Sequence, residues 1–398
     1  MSTFHKAFYG ALRAAVIPYF ATFGQYSWKV YKPKSKNYLM LANHNTNWDF
    51  CYFGITLRKQ MYFVASEHIF RQGLVSKMIK FLVDPIPRKK GASAEDTIRL
   101  IKERLAEGSN VCMMAEGNRS FSGETGFISP NTAKLAKECG AGLITFRLHG
   151  GYFVNPRWST EVRRGKLSGE IVNEYTAEEL QAMTEEEVYE AICRDLYVNA
   201  YEDQGMQPAK YVCRHPAEFL ETALFACPEC GEFSSMKSRD DRFYCTHCGM
   251  ELRLNEYGYF ESTDGSEPKF KTILDWSDWQ TVHLKEYLKG ESDPEKPLFF
   301  DGAISLYSVR PGQGKELADQ GRFTMYTDRM EIGNTVIPLD SIQKISITLM
   351  DTILFTANGQ YYEIKGQKHY SALKYLIASR QLVGKEYITG GRRELVKN

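Results

Sequence analysis

Two cysteine pairs, Cys227-Pro-Glu-Cys230 and Cys245-Thr-His-Cys248, stand 14 residues apart, and a glycine follows the second cysteine of each. Knuckles of this kind bring four thiolates to the corners of one tetrahedron, the closed ligand set of a structural Zn²⁺. Gly231 and Gly249 permit the turn that aims backbone amides at the sulfurs. A small zinc-ribbon module is therefore expected at residues 211–262, with folding energy supplied by the metal. Redox-active or disulfide-forming pairs are the competing reading. Nine cysteines in 398 residues do not make a disulfide scaffold. Cys213 and His215 lie nearby but are not expected as ligands.

The module divides the chain. Before it, short apolar runs at Tyr38 to Ala42, Met61 to Ala65, Val111 to Ala115 and Leu143 to Leu148 have the length of buried strands. Helical patterns alternate with them, which predicts an α/β fold over residues 1–210. Phe70, Leu74, Met78 and Leu82 form one stripe. Ser93 is placed to cap a helix that Gly108 ends, and Ser129-Pro130 and Gly140 bracket another. Thr176 to Glu179 and Thr184 to Glu187 read as capping boxes, and Val188, Ile192 and Leu196 share a helix face. After the module, a helix containing Trp279 and a linker at Asp293 to Pro297 fill residues 263–297. Residues 298–398 then read as short β segments closed by a helix through Leu373, Leu376 and Ile377. Asn358-Gly359 is a strong hairpin signal. A β-rich, pleckstrin-homology-like domain fits that pattern.

The near-neutral total of 50 Lys and Arg against 49 Asp and Glu hides a split. Residues 1–170 hold 25 basic and 12 acidic side chains, and the rest hold 25 and 37. A basic domain of this kind suits an anionic partner. The acidic remainder is expected to face away from it. At the start, Phe4, Phe8, Leu12, Ala15, Tyr19 and Phe23 lie on one helical face, with Pro18 expected to break or kink the helix. This helix either packs on its own domain or lies in a membrane interface beside Lys29, Lys32, Lys34 and Lys36. No apolar run reaches the 18 residues or so of a membrane span, and no cleaved signal is apparent. A cytoplasmic, peripheral protein is the expectation.

Chemistry concentrates in two segments. In YLMLANHNTNWDF a strand runs into His44, and Asp49 follows five positions later. A regular helix would set these side chains roughly 140° apart, so a strand-to-helix turn must join them, with Thr46 or Asn47 as its cap. The carboxylate could then orient the imidazole as a general base. In VCMMAEGNRSFSGE an apolar strand runs into Glu116, Gly117, Asn118, Arg119 and Ser120. Arg119 offers a fork for phosphate, Gly117 close backbone approach and Ser120 a hydroxyl.

Together the blocks NHNTNWD and EGNRS resemble those of the glycerophospholipid acyltransferase superfamily, whose best-known members are the 1-acylglycerol-3-phosphate acyltransferases. DPIPRKKG, with Arg88, matches the block between them, and LITFRLHGG stands at the fourth. The resemblance covers roughly residues 1–205 and implies an acyltransferase domain with a mixed sheet flanked by helices. Asn118 and Ala115 depart from the family's usual Thr and Pro, and Phe146-Arg147 stands where a proline is usual, all at places expected to read the acceptor.

The resemblance implies transfer of a fatty acyl group from acyl-CoA or acyl-carrier protein to 1-acylglycerol-3-phosphate in phospholipid synthesis. Glycerol-3-phosphate or another lysophospholipid is the alternative acceptor, and a non-catalytic lipid-binding adaptor the alternative class. His44 would be the base and Asp49 its orienter. Arg88 and Arg119 would hold the phosphate, with Gly117 and Ser120 in the same loop, and Glu116 would order the loop or a glycerol hydroxyl. No organic cofactor is implied. Cys51 and Cys112 compete with Ser120 as nucleophiles, but their apolar settings point to inert thiols. The implied partners are membrane lipids, the acyl donor and a protein met through the C-terminal modules; no nucleic acid is expected.

Overall fold

The computed structural model describes residues 3–22, 25–71, 73–89, 93–310, 314–367 and 369–384. The chain opens with α1 (Thr3–Thr22), β1 (Tyr26–Trp28), β2 (Tyr38–Ala42), α2 (Asp49–Thr56), β3 (Tyr62–Ser66) and α3 (Leu74–Val83). It continues through β4 (Ile86–Arg88), α4 (Glu95–Ala106), β5 (Val111–Met114), α5 (Asn131–Glu138) and β6 (Gly142–His149). Then come α6 (Gly151–Val154), β7 (Leu167–Tyr175), α7 (Ala177–Ala182), α8 (Glu185–Leu196) and α9 (Ala200–Met206).

These strands form one sheet in the order β1-β7-β6-β2-β5-β3-β4. All neighbours are parallel except β6 and β7, so the sheet is mixed. β2 lies at its centre with all five residues buried, because both faces are covered. Strand alternation sends Tyr38, Met40 and Ala42 into one core layer with Phe53 and Phe146. Leu39 and Leu41 enter the opposite layer with Ile101, Leu105, Val188, Ile192 and Leu196. Both capping boxes form, at Thr176 with Glu179 and at Thr184 with Glu187.

Several helix expectations need correction. α1 runs through Pro18 to Thr22, with the Thr22 hydroxyl donating to the Pro18 carbonyl at 2.6 Å. Its two readings are not exclusive. Phe20 is buried against Tyr52, whereas Phe4, Leu12 and Tyr19 are exposed. Position 23 of the proposed stripe lies outside the described residues. The stripe from Phe70 to Leu82 is not one continuous helical face. The helix begins only at Leu74, which is 74% exposed, and Met78 and Phe81 are exposed too. Ala94, not Ser93, occupies the cap of α4; the Ser93 hydroxyl accepts the Glu95 amide at 3.4 Å. Pro130, rather than Ser129, directly precedes α5.

A four-stranded antiparallel sheet follows, built from β8 (Met236–Arg239), β9 (Arg242–Cys245), β10 (Glu251–Leu254) and β11 (Phe260–Ser262). α10 (Ile273–Gly290) packs on it, the Trp276 indole donating to the Ala226 carbonyl at 2.9 Å. The last domain holds β12 (Phe299–Arg310), β13 (Gly314–Met325), β14 (Arg329–Ile332), β15 (Thr335–Pro338), β16 (Ile342–Thr348), β17 (Thr352–Ala357) and β18 (Gln360–Lys365), then α11 (Ala372–Leu382). Its seven strands are antiparallel, in the order β15-β14-β13-β12-β18-β17-β16, with α11 against them. That is a β-rich domain with the strand and helix content of the pleckstrin-homology-like pattern. Asn358 and Gly359, both at positive φ, form the two-residue turn between β17 and β18.

Candidate active site

Parallel register assembles the site. Ala42 of β2 pairs with Met114 of β5, so His44 and Glu116 leave the sheet side by side two residues beyond. One Glu116 oxygen accepts the His44 amide at 2.7 Å, and the other accepts the Gly126 amide at 2.6 Å. Glu116 therefore ties two loops together, and these amides take both its oxygens. Burial pushes its carboxyl up to about 8, against the pull of the two amides.

His44 Nδ1 lies 2.8 Å from Asp49 Oδ2. Asp49 is fully buried, while His44 keeps partial access. The same carboxylate accepts the Asn45 amide at 3.0 Å, the Thr46 amide at 2.9 Å and the Thr46 hydroxyl at 2.6 Å. Asp49 is thus in the first turn of α2, but neither Thr46 nor Asn47 caps that helix. Trp48 holds the cap position without a side-chain bond, and the Thr46 hydroxyl accepts the Trp48 amide instead. The Asp49 carboxylate closes the turn that a cap was expected to close. Asn43 secures the strand end, its amide side chain exchanging two hydrogen bonds with the Leu148 backbone of β6.

His44, Arg88, Glu116, Gly117 and Arg119 line one cavity of about 1250 Å³. That volume exceeds the range of roughly 300–1,000 Å³ usual for small-ligand pockets. Its walls are largely apolar: Phe8, Leu12 and Val16 of α1, Ile79 and Leu82 of α3, and Ile98 and Ile101 of α4 contribute. The Arg13 guanidinium of α1 donates to the Gly54 and Ile55 carbonyls at 3.0 and 2.8 Å, which holds α1 against the end of α2. Burial lowers the pKa of both Arg88 and Arg119.

Ser120 departs from its expected place. It does not line the cavity; its hydroxyl accepts the Ser122 and Gly123 amides at 3.3 and 2.8 Å, which makes it a turn residue. Gly117 is needed for its positive φ, since nothing lies within 4 Å of a Cβ built there. Phe146 is core and Arg147 donates to the Arg194 and Asp195 carbonyls, so neither lines the cavity, whereas Ala115 and Asn118 do. Cys112 is buried, and burial pushes the Cys51 thiol up to about 12, as inert thiols require.

Sequence reasoning missed Asn155 and Arg157. The Asn155 side-chain oxygen accepts the Asn47 amide at 3.1 Å and Arg119 Nη1 at 3.0 Å, joining the two motif loops. Arg157 is buried and donates to the Arg119 carbonyl at 3.0 Å. Only their position a few residues after the fourth block hinted at them.

Residues 25–149 match the family model described as Acyltransferase. The match spans about a third of the chain and marks an acyltransferase domain there. No curated protein matches the chain. Among solved structures, the crystal structure of the 1-acyl-sn-glycerophosphate (LPA) acyltransferase PlsC from Thermotoga maritima is similar at 20% identity and a TM-score of 0.36. The match covers 47% of this chain and 80% of that one.

Beyond the acyltransferase domain, the four cysteine sulfurs of the knuckles all lie within 4.8 Å of one another. Cys227 and Cys248 are 3.7 Å apart and Cys230 and Cys245 3.8 Å. These separations match the edge, about 3.8 Å, of a tetrahedron with zinc–thiolate bonds of about 2.3 Å, and exceed any disulfide. Gly231 and Gly249 adopt positive φ as the knuckles demand. Cys213 and His215 are not part of this set; His215 instead faces Glu161, at 3.0 Å.

The split in charge is only partly a split in space. Arg13, Arg88, Arg119 and Arg157 line the cavity, but Arg99, Lys102 and Arg104 form ion pairs on the outer surface. The last domain does not face away from the site: Gly314, Lys315, Thr348, Leu349 and Glu363 line the same cavity.

Proposed function

We propose that this protein is a peripheral-membrane O-acyltransferase that moves a fatty acyl group from an acyl thioester, acyl-CoA or acyl-carrier protein, to the free hydroxyl of 1-acylglycerol-3-phosphate. The observation that carries this reading is a buried Asp49 holding His44 at the polar end of a large apolar cavity that also receives Arg88 and Arg119. With Nδ1 held by Asp49, Nε2 is the nitrogen that accepts the hydroxyl proton. The alkoxide oxygen attacks the thioester carbonyl, the tetrahedral adduct collapses, and the thiol leaves with a proton returned by the imidazolium. Arg88 and Arg119 hold the acceptor phosphate, and the apolar walls hold acyl chain.

The outer surface supports membrane association, with the cytoplasmic face as the proposed side. Phe4 of α1 and Phe81 of α3 meet with ring centroids 5.2 Å apart. Together with exposed Leu12, Tyr19, Leu74 and Met78 they offer an apolar surface that suits the bilayer interface, with Lys77 and Lys80 on α3 for anionic headgroups. Among the described residues no helix is long and apolar enough to cross a membrane. In the cysteine module the natural occupant is a structural Zn²⁺, which neutralises thiolate charge and fixes the knuckles.

The test is a screen of purified protein on anionic vesicles with a labelled acyl thioester against 1-acylglycerol-3-phosphate, glycerol-3-phosphate and zwitterionic lysophospholipids. The expected product is a diacylated phosphate monoester. Transfer to none of these acceptors would overturn the reading.

A further inference from the structure

Part of the outer face of the C-terminal sheet, on β12, β17 and β18, is buried. Alternation along β18 sends Tyr362 and Ile364 into the domain's own core and Tyr361 and Glu363 to the other side. There Tyr361 packs with Val309 and Leu354 in a separate apolar cluster, and Lys89 of the acyltransferase domain lies 4.5 Å over its ring. A β domain that merely followed the enzyme as a tether would not bury that face.

Arg157 fastens the other end. Its guanidinium donates to the Ile347 and Leu349 carbonyls at the tip of the β16–β17 hairpin, at 3.1 and 2.9 Å. The same group donates to the Arg119 carbonyl and lies 4.2 Å over the Phe121 ring. One buried cation therefore ties the hairpin to the loop that carries Arg119. Leu349, at φ +54 and two-thirds exposed, projects at this tip on the cavity wall.

Lys315 completes the wall. It lines the cavity from the start of β13, 3.7 Å from the buried Glu363 carboxylate and 4.3 Å over the Tyr307 ring. The pair and the ring hold its ammonium in place while nearly half of the side chain stays accessible.

We infer that the C-terminal β-rich domain is one wall of the substrate site, and that Lys315 binds the phosphate of the acceptor head group together with Arg88 and Arg119, while Leu349 limits what that phosphate can carry. The inference deepens the proposed function and rests on it for the identity of the acceptor. The donor also bears phosphates when it is acyl-CoA, so the two substrates must be read apart.

The experiment uses the full-length zinc-loaded protein and its Lys315→Ala, Lys315→Arg and Leu349→Gly variants. Kinetics are measured with 1-acylglycerol-3-phosphate and with 1-acylglycerophosphocholine, varying acceptor and donor separately. Lys315→Ala should raise the acceptor KM roughly five- to tenfold, the loss of one charge-assisted contact at a half-exposed site, with kcat and donor KM unchanged. Lys315→Arg should recover most of it, and Leu349→Gly, which suits a positive φ, should narrow the preference for the phosphate monoester. An unchanged acceptor KM in Lys315→Ala, or a loss confined to the donor, would overturn the inference. A parallel titration of 1-acylglycerol-3-phosphate into His44→Ala, with and without Lys315→Ala, separates the two ideas. Weaker binding without Lys315 in a protein whose wild type transfers no acyl group sinks the reaction and keeps the site; equal binding sinks the site.

Discussion

His44 and Glu116 lie 72 residues apart and touch because β2 and β5 are parallel neighbours in register, whereas Cys227 and Cys248 lie 21 apart and meet across two glycine-turned knuckles. The first centre opens into a cavity, where its imidazole stays partly accessible. The second is compact, its four sulfurs all within 4.8 Å of one another. A centre that lines a cavity is assembled here from separate parts of a sheet, and one whose members face each other is local. Two carboxylates repeat the contrast. Glu116 is pushed up by burial in the cavity wall, while Glu161, accepting the Arg214 and His215 amides and facing the His215 imidazole, is pulled down to about 2.

The largest effect that would sharpen this contrast is His44→Ala. It should lower kcat by roughly 10³-fold or more, the share usual for a general base held by a carboxylate, with metal content and circular dichroism unchanged. Substantial residual transfer would mean that the dyad does not act as the base. Cys230→Ser should do the reverse. Metal stoichiometry by atomic emission falls towards zero and thermal stability drops by several kcal/mol, on the order expected of a structural zinc ligand. The damage should spread, because Ser371 of the last domain donates to the Thr222 carbonyl and Lys374 reaches Ser234 beside the knuckles. If Cys230→Ser left stability untouched, the module would not be metal-held.

Glu116→Gln comes next. An amide offers one oxygen where two backbone amides now bond, so one donor is left facing an NH₂ group, at a cost of about 1–3 kcal/mol. Because His44 hangs from one of those bonds, kcat should fall about tenfold to a hundredfold, with a smaller change in acceptor KM. A purely structural Glu116 would lower stability and leave kcat per folded molecule intact. The smallest effect concerns pH. The folded pKa of Glu161 lies below its unfolded value, so its ionised contacts stabilise the protein above about pH 4.5 and are lost as pH falls towards about 2. Glu161 is partly exposed, so Glu161→Gln should cost only about 1 kcal/mol near pH 6. The difference in Tm between the two proteins should shrink on going to pH 3. A difference independent of pH would assign the loss to packing.

How much of this was legible depends on the range of the interaction. The knuckles, both capping boxes and the Asn358-Gly359 turn close within a few residues, and the sequence states their geometry almost completely. The His44 and Asp49 pairing was legible too, as a turn too tight for a helix. Its closure was not: Thr46 and Asn47 looked like caps, yet Asp49 itself gathers the amides of residues 45 and 46. Where the α3 stripe points was not legible, because an apolar helical face looks the same whether it meets a core or projects outward.

The sequence by itself determined the local closures, the residue types of the two motif blocks and the α/β and β-rich character of the two larger parts. Only the tertiary structure decided that Glu116 and Asn155 bind the two motif loops to each other, that Ser120 turns away, and that Lys315, Leu349 and Glu363 of the last domain line the cavity instead of lying apart from it. Those outcomes depend on strand order and on which apolar faces meet. Such contacts span tens to hundreds of residues, and no local pattern encodes which of several equally apolar surfaces will be buried against which.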